Sequence, residues 1–219
     1  MAGANKAAER TFQAMLLSAL GGMMDGYSYV VRGGVFATGQ TGNLLIFGYG
    51  LLSRQPDRAL RALVPIVGFW CGIFAAQSIL RRFSHNKTDT DWKRTILLLE
   101  AAALLGIGLV PDSVLDIIPN TMISLLAAMQ FCTFREFGDK SSYASVFCTG
   151  NMRSCAECYY QGLVEKDPAA LKRAIQYTGI LTAFLAGAMI AMGLGELIGE
   201  KAIWFGAAMA LLCGFFIRS

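Results

Sequence analysis

Four stretches of this chain, Phe12–Val31, Ala62–Leu80, Ile117–Phe134 and Ala174–Leu194, run for 18 to 21 residues with almost no charge. A helix of that length crosses roughly 30 Å of hydrocarbon. Two shorter runs, Thr95–Val110 and Ala202–Ile217, span when their flanking residues snorkel. Composition agrees, since 55% of residues are hydrophobic and 16% charged, against about 25% charged in a typical soluble domain. The chain therefore reads as an all-α membrane protein of six transmembrane helices, one integral domain over residues 1–219. MAGANKAAER reads as a short polar lead-in. The run after it is too long for a signal-peptide core, so it is expected to stay as the first span.

The triplet Thr-Gly-Asn occurs at 41–43 and again at 149–151, 108 positions later. Aligning Leu17–Asn43 with Leu125–Asn151 superposes an apolar span, a loop and the triplet. With three extra residues in the second copy, Gly68, Gly72 and Ala76 then fall on Gly179, Ala183 and Gly187. Small residues at every fourth position make a helix face that packs closely in a bilayer. Pro-bearing polar turns also match, SRQPDRAL against VEKDPAAL. Two repeats follow, 11–110 and 114–217, each built as helix, TGN segment, helix, helix.

Lys and Arg are enriched in cytoplasmic loops, which distinguishes a TGN segment that crosses from one that dips and returns. With both segments re-entrant, fourteen Lys and Arg lie on the side of the termini and five opposite: Arg32, Arg54, Arg58, Arg61 and Lys201. With both crossing, the split is nine against nine and Arg153 falls inside the membrane. The re-entrant arrangement agrees better, giving six spans in two inverted three-helix repeats. Both termini are then cytoplasmic, and the location is the cell membrane. The acidic linker with Asp112 and Asp116 falls outside, as do Glu196 and Glu200.

A helix broken at membrane depth is tolerated only where its freed backbone is buried in protein or lines a wet cavity. Gly42 and Gly150 supply the permissive backbone, while Thr41, Asn43, Thr149 and Asn151 offer side chains able to cap a new helix start. The half-helices that follow point partly positive N-termini toward the midplane. Paired broken helices in an inverted repeat mark a central solute site, here Gln40, Thr41, Gly42 and Asn43 with Thr149, Gly150 and Asn151. The alternative is that TGN makes only a tight packing turn.

Four charges qualify as tuning groups, Asp25, Glu100, Arg135 and Arg153. Intramembrane carboxylates are costly and mark ion, proton or substrate pathways, although Asp25 stands near a span end and could instead cap a loop. Glu100 lies deep enough to need a partner. Asp25 and Arg135 occupy related regions and could form a charge-swapped pair. Arg153 has Glu157 four residues on, so it could pair on one helical face, attract an anion or snorkel. Cys155 and Cys158 form C-x-x-C, a spacing open to metal or dithiol chemistry but equally to packing of small apolar residues. His85 stands in a polar loop.

GGMMDGYSYVVRGGVFATGQTGNLL and AAMQFCTFREFGDKSSYASVFCTGNM resemble, in order, the two signatures of the YoaK-type family of multi-pass bacterial membrane proteins. The likeness covers about residues 12 to 217, departing from the pattern at Gly26 and at Phe131-Cys132. It implies six spans and a plasma-membrane location, and it supplies no substrate. The expectation is a small secondary transporter or channel for a small polar or anionic solute. The alternative is a non-transporting scaffold, sensor or partner subunit. Neither an enzyme nor a cofactor or metal is implied. The expected partners are the bilayer, a small solute and a possible homo-oligomer, with no nucleic acid.

The topology is testable in a cysteine-free background carrying single cysteines at Lys6 or Gln55. An impermeant thiol reagent is expected to reach them from opposite faces of the membrane; labelling from the same face would make the first TGN segment a crossing one.

Overall fold

A computed structural model of the chain describes residues 2–84, 89–112 and 115–217; His85, Lys87 and Arg218 lie outside the described residues. The elements are α1 (Ala2–Val31), α2 (Gln40–Leu52), α3 (Pro56–Ser84), α4 (Asp89–Ile107) and α5 (Ile117–Thr133). A small hairpin of β1 (Glu136–Phe137) and β2 (Ser141–Ser142) follows, then α6 (Thr149–Leu163), α7 (Pro168–Ile198), a 3-10 turn (Gly199–Ala202) and α8 (Ile203–Phe216). The lead-in is not separate. Rich in alanine, a strong helix former, it forms the first turns of α1.

Pro56–Phe83 and Pro168–Phe216, the latter spanning α7, the 3-10 turn and α8, are long and apolar enough to cross a membrane. Ile117–Thr133 is a shorter apolar helix. By contrast α2 and α6, at 13 and 15 residues, extend only about 20 Å and 22 Å at 1.5 Å per residue. Leu45, Leu52, Phe74, Leu109, Leu197 and Phe215 each expose 70% or more of their surface, more apolar display than a water-soluble monomer usually carries.

Contacts fix the helix directions. Along α1 and α7, Gly22 lies against Phe184, Gly26 against Ala188 and Gly195 against Val31, so the two run the same way. Gly68 meets Thr121 and Gly72 meets Leu125, so α3 and α5 also run together. Along α8, Gly206 stands beside Leu104 and Leu20 while Gly214 stands beside Leu97, which sets α8 against both α4 and α1. Taken together, α1, α4 and α7 point one way and α3, α5 and α8 the other.

Exchanging α1–α4 with α5–α8 leaves this pattern of contacts intact. The α1–α7 pair maps onto α5–α3, α2–α3 onto α6–α7, α1–α8 onto α5–α4, and α4–α8 onto itself. Details recur too. Gly50 packs on Ala59 in the α2–α3 hairpin and Gly162 on Leu171 in the α6–α7 hairpin. Each hairpin turn holds a left-handed residue, Arg54 (φ 55°) or Lys166 (φ 59°), two positions before the proline that opens the next helix. Proline suits a helix's first turn, where its missing N–H has no intrahelical acceptor to lose.

The glycine contacts predict a graded response. A Cβ at Gly187 collides with the Ala19 backbone and one at Gly72 with the Leu125 backbone, whereas one at Gly193 meets nothing within 4 Å. Gly187→Val or Gly72→Val is expected to cost about 1–3 kcal/mol or more, as overpacking does. Gly193→Ala should be neutral or slightly stabilising. Thermal unfolding of the three purified variants in one detergent checks the order.

Candidate functional site

After Val31 the chain turns back along α1 instead of leaving it. Ser28 Oγ donates to Val35 O (2.9 Å) and accepts from Ala37 N (3.1 Å). Asp25 takes Thr38 in both hands, Oδ1 accepting from the backbone N–H (3.0 Å) and Oδ2 from the hydroxyl (2.8 Å). Asp25 stands six residues before the end of α1, so α2 starts about 9 Å inward from that end. Gln40, its first residue, donates to Ser124 Oγ on α5 (2.7 Å) and to Ala37 O (3.0 Å). Asn43 in turn donates to Gln40 Oε1 (3.0 Å).

The second break is held differently. Asn151 reaches back over its own loop, donating to Ala144 O (2.7 Å) and Phe147 O (3.0 Å) while accepting from Ala144 N (3.0 Å). The two loops then touch: Thr38 Oγ1 lies 3.3 Å from Val146 O, a longer contact that shares the one hydroxyl proton with Asp25 Oδ2. Thr38 and Val146 are 108 positions apart, the spacing of the triplets, so equivalent residues meet each other. The backbone around Val146 also lies against Gly21, where a Cβ would come within 2.7 Å of Ser145 O. Gly21 and Asp25 bracket the meeting point, near the middle of the apolar run Phe12–Val31.

The triplets do not cap. α2 starts at Gln40 and α6 at Thr149, neither with a side-chain cap, and each triplet lies inside the first turn. From there Asn43 and Asn151, both buried, point back to the loop, while Thr41, Gly42, Thr149 and Gly150 are exposed. No Cβ contact would arise within 4 Å at Gly42 or Gly150.

The four tuning charges separate. Asp25 is engaged by Thr38, and Arg135 is exposed on the cavity described below, so the expected Asp25–Arg135 pair is absent: the loop occupies the carboxylate. Arg153 Nε donates to Glu157 Oε1 at 2.8 Å with both side chains exposed, which is the i,i+4 pairing. Glu100 is buried and neither oxygen has a partner. Cys155 is buried, its Sγ near Ala174 O (3.6 Å) and Thr178 Oγ1 (3.5 Å), and Cys158 packs beside it. Where α1 begins and α8 ends, a cavity of about 770 Å³ is lined by Lys6, Arg10, Lys93, Arg135 and Lys140, with Glu9 and Glu136. It reaches inward to Tyr143, the residue before the second loop.

Arg32 was placed by its sequence in an outer loop; it is wholly buried. Its Nε donates to Tyr27 OH (2.9 Å) and its Nη2 to Val110 O (2.6 Å), while Asp116 and Asp112 stand 3.9 and 4.0 Å from Nη1. Asn120 Nδ2 donates to its carbonyl (2.9 Å). This clamp ties the ends of α1 and α4 to the start of α5. Glu200 joins from α7's end, accepting from Asp112 N (3.2 Å). A shared hydrogen bond and like charge from Glu200 hold the Asp112 carboxyl above its usual range. The sequence signal was available, as an arginine at a span end opposite an acidic linker.

Residues 13–216 match a family model described as protein of unknown function (DUF1275). Neither curated proteins nor solved structures gave a match.

The two asparagines carry unequal structural weight, which yields a prediction. Asn151→Ala strips three hydrogen bonds from a loop backbone and is expected to cost about 2–3 kcal/mol, the desolvation penalty of groups left unpaired. Asn43→Ala removes one bond to another side chain and should cost about 1 kcal/mol. Denaturant unfolding of both variants in mixed micelles ranks them; equal losses would remove Asn151's role as the loop fastener.

Proposed function

We propose, on the premise that the chain belongs to the DUF1275 family, that it is a multi-pass cell-membrane protein that passes a small polar or anionic solute across the bilayer, as a secondary transporter or channel. In this reading α1, α3, α4, α5, α7 and α8 are the six spans. α2 and α6 re-enter from opposite faces, the halves are inverted repeats, and both termini are cytoplasmic. The alternating helix directions support it, since α1 and its counterpart α5 run oppositely. So does the exposed apolar surface.

The observation that carries the proposal is the meeting of the two break loops, Thr38 on Val146, beside two helix starts without side-chain caps. Uncapped first-turn N–H groups favour an anion or a polar oxygen. The basic cavity on the side of the termini is then an entry vestibule that concentrates anions ahead of the narrow part. Thr41, Gly42, Thr149 and Gly150 are the groups still free to face a solute, because Asn43 and Asn151 are spent on the loops.

That last fact also favours a second reading. If the triplets serve only to fasten loops, the protein is a scaffold, sensor or partner subunit. The two readings part at Gly42 and Gly150, where an added Cβ meets nothing within 4 Å. Gly42→Leu and Gly150→Leu are expected to leave thermal stability near wild type and to cut solute-driven current at least about tenfold, roughly 1.4 kcal/mol on the transport barrier. Proteoliposomes on a solid-supported membrane, screened with chloride, inorganic phosphate and small carboxylates, supply the readout. Full current in both folded variants would sink the central-site model and advance the scaffold.

A further inference from the structure

Among the described residues, Asp25 and Arg32 are buried and bonded, but Glu100 is buried and alone. It is 1% exposed, and neither carboxylate oxygen has a hydrogen-bond partner. The helices packed on α4 bring it no counter-charge. α5 carries no charged residue between Ile117 and Thr133, and α8 none between Ile203 and Phe216. Charges on α3 sit at its ends, from Asp57 to Arg61 and at Arg81–Arg82, and those of α4 itself stay in its first turns, up to Arg94. The titratable groups inside are Cys132 on α5 and Cys213 on α8, the latter within electrostatic reach of Glu100. Across the bundle, α1 carries Lys6, Glu9 and Arg10 in its first turns, Tyr27, which Arg32 engages, and Asp25, which Thr38 already occupies.

Four more buried oxygens lack partners: Asn120 Oδ1 stands at the Arg32 clamp, while Ser18 Oγ, Gln130 Oε1 and Ser145 Oγ share Glu100's level. Gln130 Nε2 donates to Leu17 O (2.9 Å). Ser145 O lies against Gly21, and Ser18 is three residues before Gly21, on the same face of α1. On α4, Leu97 shares a cluster with Leu17, and Ala101 and Leu104 share one with Leu20. Glu100 lies between them on that face. Glu100, Ser18, Gln130 and Ser145 therefore stand at one level of the bundle, beside the meeting point of the loops.

An ionised carboxylate with neither donor nor counter-charge is among the most unfavourable things a protein can bury. Carboxylate, amide and hydroxyl oxygens suit a hard cation and not a soft one. We propose that Glu100 binds one small monovalent cation, a proton or a sodium ion, inside the bundle, with Ser18, Gln130 and Ser145 as the neighbouring oxygens. As the charge coupled to solute movement, this ion rests on the transporter reading above; its binding does not, and it would persist in a scaffold.

The test uses the full chain in lipid nanodiscs and dicyclohexylcarbodiimide, an apolar reagent that modifies protonated carboxyls inside membranes, with the adduct at Glu100 located by peptide mass spectrometry. For a proton, labelling falls at least roughly tenfold between about pH 6 and about pH 9 and is indifferent to sodium chloride replacing choline chloride. For sodium, labelling at one pH falls about tenfold once sodium exceeds its dissociation constant about tenfold. The second arm is Glu100→Gln, which keeps the shape and removes the charge. Its thermal unfolding is expected to lose the pH or sodium response that the wild type shows. A Glu100 that never labels, or labels regardless of pH and sodium, overturns the proposal, as does a Glu100→Gln protein that responds as wild type does. The uptake assay with Gly42→Leu and Gly150→Leu reads the transporter question separately.

Discussion

Every backbone N–H and C=O taken away from water must find a partner, and this chain breaks its backbone twice in its interior. The two breaks are satisfied by unlike means. The first borrows side chains from α1, with Asp25 and Ser28 holding residues 35–38. The second is held by Asn151, from the half-helix that follows it. Once both loops are fixed, Thr38 and Val146 bring them together, and the starts of α2 and α6 are set. The hairpins to α3 and α7 follow, each closed by one left-handed residue and one proline. Remove the fastening and unpaired backbone would lie beside the core, which is why so much else depends on four side chains.

The halves are not self-contained. α1 packs along α7 and α3 along α5, so the most extensive helix contacts join one half to the other. They do so at backbone distance, Gly22 and Gly26 on one seam and Gly68 and Gly72 on the other. Small residues on a seam increase dispersion contact, which holds helices together where lipid is as apolar as the side chains. A unit of four helices cut from this chain would expose both seams. The chain therefore packs as one bundle and not as two adjacent units.

What could be read from the sequence was local or periodic. Apolar runs, the four-residue spacing of small residues and the Pro-bearing turns depend on neighbours along one helix, and each stands in the fold where periodicity put it. The triplets were visible, but their job was not. A polar pair after a loop suggests an N-cap, whereas α2 already starts at Gln40 and α6 at Thr149, so Asn43 and Asn151 lie inside the first turn and reach back to the loop. For Asp25 the loop-capping alternative is the one that stands, and for Arg32 the sequence left burial open. Whether a charge near a span end meets water or protein depends on what the following loop does, and a loop that folds inward buries it. The Arg135 pairing failed likewise, since a charge-swapped symmetry argument cannot see that Thr38 has already claimed the carboxylate.

In a frame so nearly repeated, the departures from repetition carry the most functional information. Packing alone would be served by equivalent residues in both halves. Instead, among the described residues, the interior carboxylates Asp25 and Glu100 come from the first half, while the second contributes Gln130 within and Arg135, Lys140 and Arg153 without. Asp25 has a structural reason for its charge, because it fastens a loop. Glu100 has none, and a leucine there would pack without the desolvation it imposes. A charge kept against that penalty is explained by something it binds. In the transporter reading proposed above, the basic cavity and the two uncapped helix starts favour a negative solute, and a carboxylate one layer away repels it until a cation neutralises it. Opposite preferences at adjoining positions make each occupant the condition for the other. That is the electrostatic form of coupling, and it follows from where the repeat is broken.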